Sequence, residues 1–292
     1  IDKANSGYGA SMNKGLDAAQ GKYIAILESD DYFELDALEK LYQAAETHDA
    51  EVVKANFWFY WSKPEERNES FELVTSDMAG HLVNPQIETE IFYLKPSIWS
   101  ALYRRDFLKD NGIRFLETPG ASYQDAGFNF KVWASAAKAF FIQDEILHYR
   151  QDNEASSVNS PSKVYCVCDE YAEMDRFLAS HPEKASLKAV EEKMKYDTYM
   201  WNYDRLTEPL RREFIVRFAQ EFKSDIESGY VDLAIFDPWK KDDLALLLDD
   251  PILFHARRES PEEEGYAKKM LRFYRIGGIG LVMHAVKQKL RR

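Results

Sequence analysis

Short apolar runs and helical repeats take turns along the first half of the chain. Residues 10–19 read as a short helix with Met12, Leu16 and Ala19 on one side. The run at 23–27 is brief, ends abruptly and precedes a helical pattern, which predicts a buried strand. Leu35, Leu38, Leu41, Tyr42 and Ala45 then recur at helical spacing, predicting a surface helix that ends near His48. Residues 51–61 are rich in Val, Phe, Trp and Tyr and predict another strand. Residues 62–85 are polar, punctuated by Pro64 and Pro85, and read as a loop or hairpin arm. Residues 97–110 predict a helix with Trp99, Leu102, Tyr103 and Phe107 inward, closed by Asn111-Gly112. A loop bearing Pro119 and Gly120 leads into a helix whose buried face is Phe128, Val132, Trp133 and Ala136. Residues 139–143 and 146–150 read as two short strands, and 153–162 as a small-polar boundary loop. Beyond it helical patterns dominate, at 164–178, 187–206, 209–227 and 241–248. Tyr196, Tyr199, Trp201 and Tyr203 form an aromatic cluster that reads as core rather than a sugar platform. The fold class is therefore α/β: a sheet flanked by helices over 1–160, followed by a mostly helical region over 161–292.

The chemistry sits where the 23–27 strand stops. Glu28, Ser29, Asp30 and Asp31 follow at once, and in open α/β sheets ligands bind outside the carboxyl ends of strands. Alternation along an extended chain puts Glu28 and Asp30 on one face, while Asp31 points away or caps the turn. Three adjacent carboxylates repel one another unless a positive group lies between them. A hard divalent cation that also holds substrate phosphates would remove that repulsion. A solvated turn with a helix N-cap is the alternative. Upstream, Asn5, Gly7 and Gly9 form a loop suited to close backbone approach, and Asn13 and Gly15 are poor helix formers that a backbone or ligand contact could hold. Asp125 falls in the first turn of its helix, at the positive end of the dipole, a position that suits a carboxylate for structural reasons alone.

Composition narrows the partners. Apolar residues at 45% and charged residues at 30% belong to an ordinary globular chain. The net charge of −12 excludes a general nucleic-acid binder. Cys166 and Cys168, spaced C-x-C, suit neither a disulfide nor a zinc site and read as packed thiols in a reducing compartment. Eight Lys or Arg and no acid fall in 266–292, so the residues before them carry 30 basic against 50 acidic groups. The basic groups bracket apolar residues 276–286, too few to span a bilayer but suited to an anionic membrane surface. Docking of this tail on the acidic body of the same protein is the alternative.

Taken in order, these motifs resemble family 2 glycosyltransferases of the GT-A fold. Asn5-x-Gly7, Asn13-x-Gly15 and the segment from Gly21 through Glu28-Ser-Asp-Asp31 are similar to that family's N-x-G, R-N-x-G, G-x-Y-I and D-x-D-D pattern. The W-x-x-L-Y-R/K segment is matched by Trp99 to Arg105, the E-D of the catalytic base by Gln124-Asp125, and the closing Y-Y-R and serine loop by His148-Tyr-Arg150 and Ser156-Ser157. The resemblance covers about residues 1–160. It implies a metal-dependent inverting transferase in which Asp125 is the general base. Asp30 and Asp31 hold Mn²⁺ or Mg²⁺, and Asn5, Gly7, Asn13, Glu28 and Asp30 bind the nucleotide sugar, UDP-sugar favoured. The implied acceptor is a saccharide or lipid-linked hydroxyl in bacterial surface polysaccharide synthesis, on the cytoplasmic side and at the inner face of the membrane.

Three positions depart from the family pattern: Glu28 for the first Asp of D-x-D, Met12 for a phosphate-facing Arg, and Gln124 for the Glu beside the base. The family also opens with a strand, helix and strand that grip the nucleotide base, and nothing before Ile1 supplies them. On this reading the chain as written lacks transfer activity that a longer parent has. Two alternatives remain: a non-catalytic binding module derived from the same fold, and a nucleotidyltransferase. The latter needs a basic phosphate loop, whereas residues 5–15 contain Lys14 alone.

Overall fold

The structure is a computed structural model that describes residues 4–119, 123–153, 163–259 and 265–290. The chain divides into two compact units, one of residues 1–160 with 168–190, the other of 161–167 with 191–292.

The first unit is built on a seven-stranded mixed sheet. Its elements run α1 (Tyr8–Ala18), β1 (Tyr23–Ala25), β2 (Tyr32–Phe33), α2 (Ala37–His48), β3 (Val52–Trp61), β4 (Arg67–Phe71), β5 (Leu82–Val83), β6 (Ala101–Arg104), α3 (Arg105–Asp110), α4 (Gln124–Ser135) and β7 (Ala139–Arg150). The strand order is β1-β6-β3-β7-β2, with β4 added to β3 and β5 to β7. β3 and β7 pair in parallel and the remaining ladders are antiparallel. The two central strands carry the buried apolar side chains Val52, Val53, Ala55, Phe57, Phe141, Ile146 and Leu147, as expected of strands covered on both faces.

Several sequence expectations are corrected. Residues 97–110 are not one helix: Ala101–Arg104 is strand β6, inserted between β1 and β3, and the helix begins at Arg105. A short apolar run has no period of its own, and two waiting strand edges decide it. Residues 139–150 form one strand rather than two, because pairing to β3 carries β7 past its polar middle with a register shift near Asn56. Asn56 absorbs the irregularity through side-chain bonds to Val74 and Gln143. On α2 the buried face is Ala37, Leu41 and Ala45, whereas Leu38 and Tyr42 are exposed, as is Leu35, which precedes the helix. On α1 Gly9, Ala10 and Asn13 are buried, while Met12 and Leu16 are half-buried.

The second unit is helical. It contains most of α6 (Lys188–Arg205), then α7 (Glu208–Glu227), α8 (Pro238–Asp249), α9 (Pro251–Arg258) and α10 (Tyr266–Leu290); α5 (Cys166–Ser180) begins in it and lies mainly in the first unit. Tyr196 and Tyr199 interleave with Phe214, Phe218 and Phe222, so these tyrosines are core, as is Tyr203; Trp201 is exposed. Phe273, Leu281 and Ala285 of α10 pack on Leu253 and Ala256 of α9. At Gly278 α10 leaves helical geometry, with φ at 68°.

Candidate active site

The acidic run follows β1, and β2 comes after it and pairs with β7. Asp31 is buried, and its Oδ1 accepts the Arg150 backbone N–H at 2.9 Å. Its Oδ2 is buried without a hydrogen-bond partner. Burial raises the Asp31 carboxyl to about 7 against the opposing Arg150 amide, and the charges of Asp30 and Glu28 add to the rise. Asp30 Oδ2 accepts from Asn153 Nδ2 at 2.6 Å, and Glu28 Oε1 accepts from the Tyr8 hydroxyl at 2.5 Å. The Glu28 carboxyl is also raised, by burial first and by Asp30 in addition. Arg150 Nε reaches the Asp30 carbonyl, and Nη1 reaches Ser62 Oγ.

Asp125 lies almost a hundred residues further on, in the first turn of α4, with its Oδ1 on the Ala126 N–H at 3.0 Å. Burial raises its carboxyl to about 6, Lys95 works against the rise, and Glu28 adds to it. Tyr149 ties the two halves together. Its ring stacks on Trp99 at 4.6 Å, and its hydroxyl is raised to about 12 by burial and then by Asp31, Asp125, Asp30 and Glu28 in turn. One phenol thus senses all four carboxylates. Lys54 on β3 is buried, donates to the Ser97 carbonyl, and is lowered to about 7 by burial against the pull of Asp125.

The orphaned Asp31 Oδ2 and the mutual repulsion of Glu28, Asp30 and Asp31 fit a cation. The three carboxylates do not bring one oxygen each within 4.8 Å of one another, so they do not form a three-carboxylate cage. A hard ion held by one or two carboxylates and by substrate oxygens suits the geometry better.

Of the other predicted residues, Asn5 Oδ1 accepts the Gly7 N–H at the entrance to α1. Asn13 is buried and committed to the chain itself. Its Nδ2 donates to Phe115 O and Glu117 Oε1, and its Oδ1 accepts the Phe115 N–H, all at 2.9 Å. Gln124 donates to Thr118 Oγ1. Ser156 and Ser157 lie outside the described residues. Tyr8, Lys54 and Lys95 carried no motif and were not visible in the sequence, whereas Tyr149 stood inside the matched His148-Tyr-Arg150 segment.

The family model described as glycosyl transferase family 2 matches residues 1–112, the span that holds α1, the carboxylate run and β6. Over those residues the chain is similar to the family 2 glycosyltransferases. The putative glycosyltransferase EpsH of Bacillus subtilis is 26% identical over 159 residues, 51% of this chain and 43% of that protein. The poly(ribitol-phosphate) β-N-acetylglucosaminyltransferase TarS of Staphylococcus aureus is 23% identical over 188 residues, 64% of this chain and 30% of that protein. The chain therefore spans less than half the length of these curated relatives. A crystal structure of S. aureus TarS in complex with UDP-GlcNAc has the same fold, with a TM-score of 0.56 at 18% identity over 88% of this chain and 69% of that one. A GT-A-like sheet followed by a helical region is thus the fold of this chain.

Proposed function

We propose that this chain is part of an inverting glycosyltransferase that moves a sugar from a UDP-sugar to a hydroxyl acceptor. The observation that carries the reading is that Asp31, Asp125, Asp30 and Glu28 all raise the Tyr149 hydroxyl. Asp30 and the free oxygen of Asp31 would hold Mn²⁺ or Mg²⁺. Such an ion supplies neutralisation of the departing diphosphate. Asp125, ionised above about pH 6, takes the proton of the attacking hydroxyl. Displacement from the face opposite the leaving group inverts the anomeric carbon. Asn5, Gly7 and Glu28 border the donor, and Asn13 acts through the loop it fastens. The TarS structure holds UDP-GlcNAc, and the name of TarS, a poly(ribitol-phosphate) transferase, supports a polymeric acceptor in bacterial surface polysaccharide synthesis.

The reading places the enzyme on the cytoplasmic side, with α10 at the inner membrane face. Among the described residues no helix is long and apolar enough to cross a membrane. Leu271, Tyr274, Ile279 and Met283 of α10 are exposed, in a segment rich in Lys and Arg, which suits peripheral contact.

The test is calorimetric and kinetic. Titration of UDP should show affinity that rises with Mn²⁺ and falls with EDTA, and Asp30→Asn should remove that dependence. Asp125→Asn should lower transfer by about 10² to 10⁴ while leaving UDP affinity intact. UDP binding that survives both EDTA and Asp30→Asn unchanged would refute the metal role. Binding with no turnover in any form would favour the non-catalytic module.

A further inference from the structure

Glu170, on α5, has no part in the reaction described above. Its side chain is 1% exposed, and neither carboxyl oxygen makes a hydrogen bond. It faces the first turn of α4, the turn that carries Asp125. A Cβ at Gly127 would stand 2.4 Å from Glu170 Oε2, so the carboxyl fits only because residue 127 has no side chain. The groups that act on it are Asp125 and Lys131 of α4, Glu173 of its own helix, and the Gly127 amide, which faces it without completing a hydrogen bond. Lys131 is already engaged with Glu173 at 3.0 Å.

A carboxylate ion removed from water and given no donor is far more costly than a protonated carboxyl in the same place. Two neighbouring buried carboxyls also resist carrying two charges. We propose that Glu170 is a positioning residue for Asp125: a neutral, proton-bearing carboxyl wedged against Gly127, which fixes the first turn of α4 and leaves the negative charge there to Asp125. The assignment rests on the reading of Asp125 as the base. It agrees with the direction in which burial and Asp125 push Glu170, up to about 9, whereas Asp125 itself sits at about 6. Burial and the like charge of Asp125 thus favour the proton on Glu170. Ionisation of Glu170 above about pH 9 would force a second charge against the α4 turn.

Infrared difference spectroscopy on the full chain tests this without any substrate. At neutral pH a protonated-carboxyl C=O band should be present, should be lost in Glu170→Gln, and should titrate away in the native chain near pH 9. In Asp125→Asn the midpoint of that band should move to lower pH, because the like charge beside Glu170 is gone. A role confined to packing would leave the midpoint where it is. In transfer assays Glu170→Ala should lower kcat more than it changes KM, and the neutral isostere Glu170→Gln should restore most of the loss. A chain with no such band, or a band indifferent to Asp125→Asn, would overturn the assignment even if a variant folds poorly, since the native band is read directly. Turnover by Asp125→Asn would overturn the base reading, and with it the positioning role, whatever the band shows. A missing band together with an inactive Asp125→Asn enzyme would overturn this assignment alone.

Discussion

Asp125→Asn should make the free protein more stable while it removes the proposed base. The carboxyl moves from its ordinary 3.8 to about 6 on folding, chiefly through burial. A folded-state value above the unfolded one means that ionisation opposes folding. Below about pH 4 both states are protonated and Asp125 costs nothing. As pH rises from about 4 to about 6 the unfolded chain ionises first, and the cost grows until it is complete above about 6. The full displacement corresponds to about 3 kcal/mol. Asp125 is half-buried, and solvent screening of its accessible part lowers the figure to about 1–3 kcal/mol. Asparagine keeps the shape and can still accept the Ala126 N–H. Urea titrations of the native chain and the variant between pH 4 and pH 8 read the difference. The expected result is no gain at the acid end, a gain that grows towards about pH 6, and a plateau above it. A gain independent of pH, or a variant less stable at neutral pH, would show that Asp125 is a helix-terminus carboxylate stabilised by its dipole rather than a base held at a cost.

Asn13→Ala should lower stability by about 1–3 kcal/mol, because Phe115 loses partners for both its N–H and its carbonyl; a thermal melt indistinguishable from the native one, with donor affinity lost, would instead make Asn13 a ligand group. Vesicle flotation should retain more protein on anionic than on neutral lipid, at about 1 kcal/mol for each basic group near the surface before salt screening; equal retention would assign α10 to intramolecular contact only.

Helix α2, strand β3 and the Asp125 helix were legible because each has a long or sharply bounded pattern. The strand expected buried at 23–27 is instead Tyr23–Ala25, half-buried at the sheet edge, with Leu27 exposed, because its neighbours in the sheet are not written in its own apolar run. The order of the motifs was equally legible, since spacing along the chain survives folding. Residues 101–104 were not legible. Their apolar side chains suit a helix or a strand equally, and the unpaired edges of β1 and β3 settled the matter by hydrogen bonding. The identity of Asn13 was visible but its use was not, because its partners at 115 and 117 lie about a hundred residues away. The site was split in the same way. The sequence determined that carboxylates crowd the end of β1, since adjacency is written in the chain. Only the tertiary structure decided that the Tyr149 hydroxyl feels both them and Asp125, and that Glu170 lies against Gly127 with no donor for its oxygens. Burial and electrostatic coupling depend on distances between segments remote in the chain, and a one-dimensional pattern does not contain those distances.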